Sequence, residues 1–280
     1  TIHAGGAFID TNGYSIGIST DLGGTGALNK LGEGALTLGG SNSYSGGTFI
    51  HQGTLIAASN FALGTGNLVV SGGTFSVAAG VTPANSIALN GGSMEKALEA
   101  DTSLVDAINV SSSLGGTLTR ARLLDGTASA ETTLQASFGT IPGATNDSLR
   151  IGAVFSFSGV PILDADTGET DRFVLQLQVD DLMNDSRLGW FDSNANAWVN
   201  AVDGNIGESM PIFVGNKAYN TETDFVLGYY GVDLENGTVW AVLNHNSDFA
   251  VVPEPSTWAL LLGTAAALRL RRRNRQNDNS

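Results

Sequence analysis

Two interleaved series of glycines divide the first third of the chain into short units of nearly equal length, and each glycine opens a short apolar run. The first series comprises Gly13, Gly34, Gly53, Gly73 and Gly92. The second comprises Gly26, Gly47 and Gly66, with Asn85 in the fourth place. Subtraction gives spacings of 21, 19, 20 and 19 in the first series and 21, 19 and 19 in the second. Two series with one period predict a parallel β-helix, in which the strands of each coil pair with those of the preceding coil.

Alternation within the apolar runs predicts which side chains point into the β-helix. The expected inward pairs are Leu36 and Leu38, Leu68 and Val70, Phe75 and Val77, and Ile87 and Leu89. Glycine and asparagine suit the corners because both tolerate positive φ. A flexible glycine-rich linker is the alternative, but linkers lack this period-2 apolar pattern.

The run from Gly24 to Leu55, GTGALNKLGEGALTLGGSNSYSGGTFIHQGTL, resembles the autotransporter-associated β-strand repeat. The resemblance is close along this whole run and looser in the flanking turns. It implies a passenger-type β-helix on an exported bacterial surface protein, and it implies no particular activity.

Ionisable side chains are scarce on the expected β-helix, which argues against a catalytic solenoid of the pectate lyase-like kind. The candidates within residues 1–92 are His3, Asp10, Asp21, Lys30, Glu33 and His51. Asp21 and Glu33 are 12 positions apart, which does not place them on one stripe of coils with this period. Such chemistry needs paired carboxylates or a cation site. We therefore assign no catalytic residue and no cofactor, and we expect a protein that is not an enzyme.

Strand and turn signals dominate roughly residues 93–250. The exception is residues 94–100, MEKALEA, which have helical character over one or two turns. Residues 171–179 alternate so that Phe173, Leu175, Leu177 and Val179 share one face, with Gln176 and Gln178 opposite.

Two hairpins are expected in this acidic region. Asn236-Gly237 is a strong two-residue turn signal, and it sets Leu234 opposite Val239 and Val232 opposite Ala241. Asp233 and Trp240 then lie on the other face. Residues 189–199 form the second hairpin, with a polar loop between two tryptophan-bearing strands. Together these signals predict an antiparallel β-sandwich-like domain that packs on or follows the end of the solenoid.

Acidic turns at residues 164–171 and 192–196 superficially resemble calcium loops. Neither fits the twelve-residue EF-hand pattern, because the sixth residue from Asp164 is Glu169 and the twelfth is Leu175. Solvated turns are the simpler interpretation, and no metal ligand is assigned. His245 is interpreted as a hydrogen-bonded structural residue, and exposed aromatic side chains could either stack on sugars or pack in the core.

The C-terminal segment, residues 251–280, carries the most specific motif. Pro253-Glu254-Pro255 is followed by an apolar helix over residues 256–268 and then by an arginine cluster. Thirteen residues of helix span about 20 Å, which is shorter than an unaided bilayer crossing requires. The positive-inside rule keeps the arginine cluster cytoplasmic and leaves the acidic body outside.

This order of elements resembles a PEP-CTERM sorting tail. The resemblance implies recognition by an exosortase, a membrane protease-transpeptidase that processes its substrates for release or attachment at the cell envelope. It assigns the recognition motif to Pro253, Glu254 and Pro255. It assigns the retention signal to Arg269, Arg271, Arg272 and Arg273.

The distribution of charge supports a separate tail. Five of the 13 basic residues and two of the 27 acidic residues lie after Val251, which leaves 8 against 25 and a net charge of −17 for the body. An acidic body excludes nucleic-acid binding through a general positive field. Without cysteine, the chain has no disulfide, thiolate metal site or cysteine nucleophile.

The expected organisation is a parallel β-helix over residues 1–115, an acidic β-rich domain over 116–250 and a sorting segment over 251–280. The chain opens on Thr1 in mid-repeat, which we interpret as part of a longer exported precursor. The expected protein is a structural or adhesion-type protein of the cell envelope or surface, held transiently in the inner membrane by residues 256–268.

An extracellular module that binds polysaccharide, calcium or ice is the alternative, and a β-helix carbohydrate-active enzyme is less favoured. The threonine repeat is too irregular to favour ice binding, since Thr54 and Thr74 recur where Ala35 and Ser93 occupy the flanking coils.

Overall fold

The computed structural model describes residues 1–97, 110–125, 133–141, 147–159, 172–207 and 209–254. Over these ranges the chain forms 21 strands and two short 3-10 turns, Asp147–Leu149 and Ala201–Gly204. The strands lie in two sheets, one of 11 strands and one of 10. The fold is therefore all-β in the part of the chain that the structure describes.

The first ten strands form a parallel β-solenoid. They are β1 (Ala7–Asp10), β2 (Ile16–Ile18), β3 (Leu28–Leu31), β4 (Ala35–Leu38), β5 (Thr48–Ile50), β6 (Thr54–Ala57), β7 (Leu68–Val70), β8 (Thr74–Val77), β9 (Ile87–Leu89) and β10 (Ser93–Ala97). Odd-numbered strands stack in the first sheet and even-numbered strands in the second, so each coil adds one strand to each sheet. Each glycine series thus builds one sheet, which confirms the predicted β-helix.

In-register pairing carries the apolar side chains into one ladder. In the second sheet Leu36 pairs with Leu55, Leu55 with Phe75, and Phe75 with Met94. All the side chains that the alternation predicted to point inward are at most 1% exposed. Stacking buries this ladder, which a single coil could not bury alone.

Close contact between coils explains the glycines at the corners. Gly73 has a φ of +71°, and a Cβ there would lie 2.2 Å from the carbonyl oxygen of Gly53. Any side chain at this corner would therefore meet both a steric clash and an unfavourable left-handed backbone.

Eleven further strands extend both sheets. They are β11 (Val110–Ser111), β12 (Thr117–Asp125), β13 (Thr133–Gly139), β14 (Ile151–Ser158), β15 (Arg172–Gln178), β16 (Ser186–Asp192), β17 (Ala197–Asn200), β18 (Ile212–Asn216), β19 (Tyr229–Asp233), β20 (Thr238–Leu243) and β21 (Ser247–Pro253). The first sheet continues from β9 in the order β11-β12-β15-β20-β19-β18, and the second from β10 in the order β13-β14-β21-β16-β17.

The pairing changes from parallel to antiparallel where β10 meets β13 and where β11 meets β12. Among the described strands, the later pairs are antiparallel except β18 with β19, and we call β12 to β21 the antiparallel strands. One cluster of buried apolar side chains extends from the solenoid into the antiparallel strands. The strands expected to form a sandwich-like domain thus continue the sheets of the solenoid. The predicted start of the sorting segment at residue 251 falls inside β21.

The helix predicted over residues 94–100 is wrong for its first part, because Ser93–Ala97 is strand β10. Met94 pairs with Phe75 of β8 and with Ala136 of β13. Both Met94 and Lys96 are buried. Pairing on both sides and burial outweigh the local helical propensity, which amounts to only tenths of a kcal/mol per residue. Residues 98–100 lie outside the described residues.

The hairpin at Asn236-Gly237 forms, but its predicted register is wrong by two residues. Val232 lies opposite Val239, and Tyr230 lies opposite Ala241. The turn is longer than predicted because the Asp233 carboxylate accepts hydrogen bonds from the backbone N–H groups of Glu235 and Asn236. Trp240 and all of β20 are buried on both faces.

Other predicted features of the antiparallel strands are confirmed. Strand β16 pairs with β17 so that Trp190 lies opposite Val199 and Phe191 opposite Trp198. In β15 the predicted apolar face is buried, whereas Gln178 is exposed. This strand lies between β12 and β20.

Candidate functional site at the end of the last strand

The predicted recognition motif begins at the end of β21. Pro253 lies opposite Ser186 at the edge of the β16–β21 pairing. The backbone N–H of Glu254 then donates to the carbonyl oxygen of Asp185 over 2.6 Å, which extends the pairing by one residue. The first two residues of the motif therefore belong to the folded sheet. The other predicted sorting residues lie outside the described residues: Pro255, Arg269, Arg271, Arg272 and Arg273.

Arg187 of β16 lies beside the motif and is held on several sides. Its guanidinium carbon is 4.3 Å from the centre of the Phe213 ring and 5.6 Å from that of Tyr230. One terminal nitrogen donates to the carbonyl oxygen of Ser186 over 2.7 Å. Contact with the two aromatic rings and hydrogen bonding to the backbone restrain the position of the guanidinium.

The Glu254 carboxylate receives two hydrogen bonds. The second terminal nitrogen of Arg187 donates to Oε2 over 3.1 Å, and the Tyr230 hydroxyl donates to Oε1 over 3.5 Å. The Arg187 side chain is 9% exposed and the Glu254 side chain 43% exposed. The ion pair thus joins a nearly buried cation to a carboxylate at the surface.

A cleft of about 380 Å³ opens at this ion pair. Its walls include Trp198, Asp203, Pro211 and Tyr230, together with both members of the ion pair. Partial burial raises the pKa of Asp203, and the negative charge of Glu254 raises it further. Two carboxyl groups therefore share one cleft, and Arg187 forms an ion pair with only one of them among the described contacts.

Sequence reasoning found Pro253 and Glu254 but missed Arg187. The ion pair joins positions 67 residues apart, and an isolated arginine in a strand has no pattern that marks it. Only the pairing of β16 with β21 brings the two side chains together.

A second surface is a column of hydroxyl side chains on the outer face of the second sheet. Successive strands pair Thr54 with Thr74, Thr74 with Ser93, Ser93 with Ser137, and Ser137 with Ser156. The Thr74 and Ser93 hydroxyls are hydrogen-bonded over 3.1 Å. The sequence showed that Thr54 and Thr74 recur one coil apart, but it gave Ser93 as an interruption of the threonine repeat and not as its continuation. Its continuation through antiparallel strands depends on a register that has no repeat.

Charged side chains of the solenoid form hydrogen bonds at its corners and between its coils. Lys30 is fully buried, and its Nζ donates to the carbonyl oxygens of Leu31, Gly32 and Gln52 over 2.6 to 3.1 Å. Burial lowers the pKa of Lys30, although Asp10 and Glu33 oppose the shift. The Glu33 carboxylate accepts from the Gln52 side chain in the next coil. These contacts give the groups structural roles in the coil stack.

The other candidate residues pack or cap turns. His245 donates from Nε2 to the carbonyl oxygen of Ala201 over 2.9 Å, and burial lowers its pKa. Asp192 accepts from the backbone of Asn194 and Ala195, as a solvated turn does. Trp240 is fully buried, so core packing accounts for it. No group of three metal-ligating side chains occurs among the described residues, and residues 164–171 lie outside them.

Comparison with known proteins places the repeat in a family. Residues 28–57, from β3 to the end of β6, match the Passenger-associated-transport-repeat family. The chain is also similar to the adhesin BmaC autotransporter of Brucella suis biovar 1 (strain 1330), with 41% identity over 75 residues. These residues are 26% of the chain and about 2% of the length of that adhesin.

The solenoid of this chain therefore carries an autotransporter-associated repeat over residues 28–57. No solved structure matches the chain. The described residues contain no helix that has both the length and the apolar character to span a bilayer. The segment predicted to enter the membrane, residues 256–268, lies outside them.

Proposed function

We propose that the chain is part of an exported, adhesin-like protein displayed on the bacterial cell surface. The stacked coils over the residues that match the passenger-associated repeat carry this proposal. A solenoid of this kind presents an extended surface. Its coils are held by stacking on one another, which requires neither a cofactor nor a catalytic site. The similarity to an autotransporter adhesin supports the same role.

We further propose that residues 251–280 sort the protein through an exosortase-type enzyme in the inner membrane. The order of Pro253-Glu254-Pro255, apolar block and arginine cluster supports this role. An acidic body outside the membrane and arginines inside it agree with the positive-inside rule. The mature protein would then be found in the envelope or outside the cell, and it would act without catalysis.

Cell fractionation tests both proposals. The full-length gene is expressed intact, without residues 255–280, and with Gln at Arg269, Arg271, Arg272 and Arg273. Truncation after Glu254 leaves β21 complete, whereas truncation after residue 250 would remove three of its residues. We expect the intact protein in the envelope or medium and a changed distribution for both variants. Cytoplasmic recovery of all three forms would contradict export, and identical exported distributions would contradict sorting by the tail.

Binding of an extracellular polysaccharide is the second candidate function. The hydroxyl column from Thr54 to Ser156 favours it, because a row of hydroxyl groups on strands about 4.8 Å apart can exchange hydrogen bonds with a sugar chain. Sedimentation with purified exopolysaccharide tests it, using Thr54→Val and Thr74→Val against Thr37→Val, which lies outside the column. Loss of binding only in the first two supports this function, and equal binding by all three contradicts it.

A further inference from the structure

We propose that Arg187 is a latch on the sorting motif: it holds Glu254 against the folded sheet and thereby controls access of the processing enzyme to the motif. This inference rests on the proposed sorting function. It concerns a residue far from the tail in sequence.

The contacts of Glu254 restrain both its backbone and its side chain. The backbone N–H donates to Asp185, and the carboxylate accepts from Arg187 and Tyr230. A protease binds its substrate as an extended segment, and here one edge of Pro253 and Glu254 is already paired with the chain at β16. Binding along that edge, or to the Glu254 carboxylate, therefore requires the end of β21 to separate from Asp185 and Arg187.

The latch is fixed on one side and releasable on the other. Phe213, Tyr230 and the Ser186 carbonyl oxygen hold the guanidinium in place whether or not Glu254 is bound. Glu254, in contrast, is about half-exposed and lies at the last residue of the pairing. Opening therefore breaks few contacts and leaves the core of the domain intact.

Asp203 opposes the latch. Its carboxyl group lies in the same cleft and interacts unfavourably with the Glu254 carboxylate. Removing the Arg187 charge leaves the two carboxyl groups without the cation that lines the same cleft, which favours release of Glu254. Removing the Asp203 charge has the opposite effect. Removing the charge of Arg187 and removing the charge of Asp203 are thus expected to shift the release of Glu254 in opposite directions.

Hydrogen exchange of the purified full chain tests the latch without any processing enzyme. We expect the Glu254 amide to exchange roughly tenfold faster in Arg187→Gln, because a charge-assisted bond is lost, and two- to threefold faster in Tyr230→Phe. It should exchange more slowly in Asp203→Asn. Lys217→Gln is the control, since it breaks the ion pair with Asp224, away from the cleft. Equal acceleration at Glu254 in Arg187→Gln and Lys217→Gln would overturn the latch.

Processing in cells tests the control of access. The ratio of cleaved to intact protein should rise several-fold in Arg187→Gln and Tyr230→Phe and fall in Asp203→Asn, with Lys217→Gln unchanged. Faster exchange with an unchanged ratio would overturn control of access. If the intact protein is never cleaved, the sorting function fails and control of processing fails with it. The exchange data then still decide whether the contact holds Glu254.

Discussion

The solenoid and the antiparallel strands share two sheets and one main apolar cluster, yet the hydrogen bonds of their polar side chains follow different patterns. In the solenoid, Asn42 accepts from Leu22 in the preceding coil and donates to Ala62 in the next, each 20 residues away. In the antiparallel part, Arg187 and Glu254 are 67 residues apart, and Ser156 and Asp248 are 92 apart. Repetition makes the first kind of contact local and regular, whereas each contact of the second kind is unique.

The inward ladder of the solenoid should be the most sensitive element. Phe75 is fully buried between Leu55 and Met94. We expect Phe75→Ala to lower the free energy of unfolding by about 3–5 kcal/mol, because it removes a large side chain and leaves a cavity. Ser76→Ala, one residue further on the outer face, should change it by less than about 0.5 kcal/mol. Urea unfolding measures both, and equal losses would contradict the inward ladder.

The bridge at Asn42 should rank second. Its side chain is 5% exposed and joins three coils. We expect Asn42→Ala to cost about 2–3 kcal/mol, because it leaves the partly buried N–H of Leu22 and the buried carbonyl of Ala62 without partners. Asn29→Ala is the matched control, since Asn29 also contacts both neighbouring coils, through Ala7 and His51, but is only partly buried. A smaller loss at Asn42 than at Asn29 in thermal unfolding would show that the corner bridges do not stabilise the stack.

Lowering the pH should destabilise the antiparallel strands through His245. Burial lowers the pKa of His245 from its ordinary value of 6.5, so the unfolded chain binds a proton more readily than the folded one. Stability should therefore be full above pH 6.5 and fall as the pH drops below it, by at most about 1.4 kcal/mol per pH unit. Urea midpoints at pH 5 to 8 measure this effect. An unchanged pH dependence in His245→Asn would contradict it.

The turn after β19 should show the smallest effect. Gly237 has a φ of +65°, where a side chain is strained. We expect Gly237→Ala to cost about 1 kcal/mol, because alanine disfavours the left-handed region. Gly139→Ala is the control, since a Cβ there meets no atom within 4 Å. Equal stability losses in thermal unfolding would contradict the assigned turn geometry.

This contrast explains which parts of the fold and of the candidate site could be predicted from the sequence. The glycine period predicted the coils, and alternation predicted the inward positions such as Leu36 and Val77, because each coil repeats the same local rule. The antiparallel register could not be derived in this way. The Asn236-Gly237 pair alone predicted a two-residue turn. The hydrogen bonds that the Asp233 side chain accepts make the observed turn longer. At the candidate site, Pro253 and Glu254 were visible as a motif, but Arg187 depends on tertiary pairing.

Disulfide formation between Ser93→Cys and Ser137→Cys tests most directly whether the sheet of the solenoid continues into the antiparallel strands. These two residues lie opposite each other at the junction of β10 and β13, and the natural chain has no cysteine. Neighbouring strands are about 4.8 Å apart, within reach of a disulfide, whereas Thr74→Cys with Ser137→Cys spans two strands or about 10 Å. Oxidation should link the first pair and not the second. Linkage of the second pair, or failure of the first in the folded protein, would contradict one sheet shared by both parts.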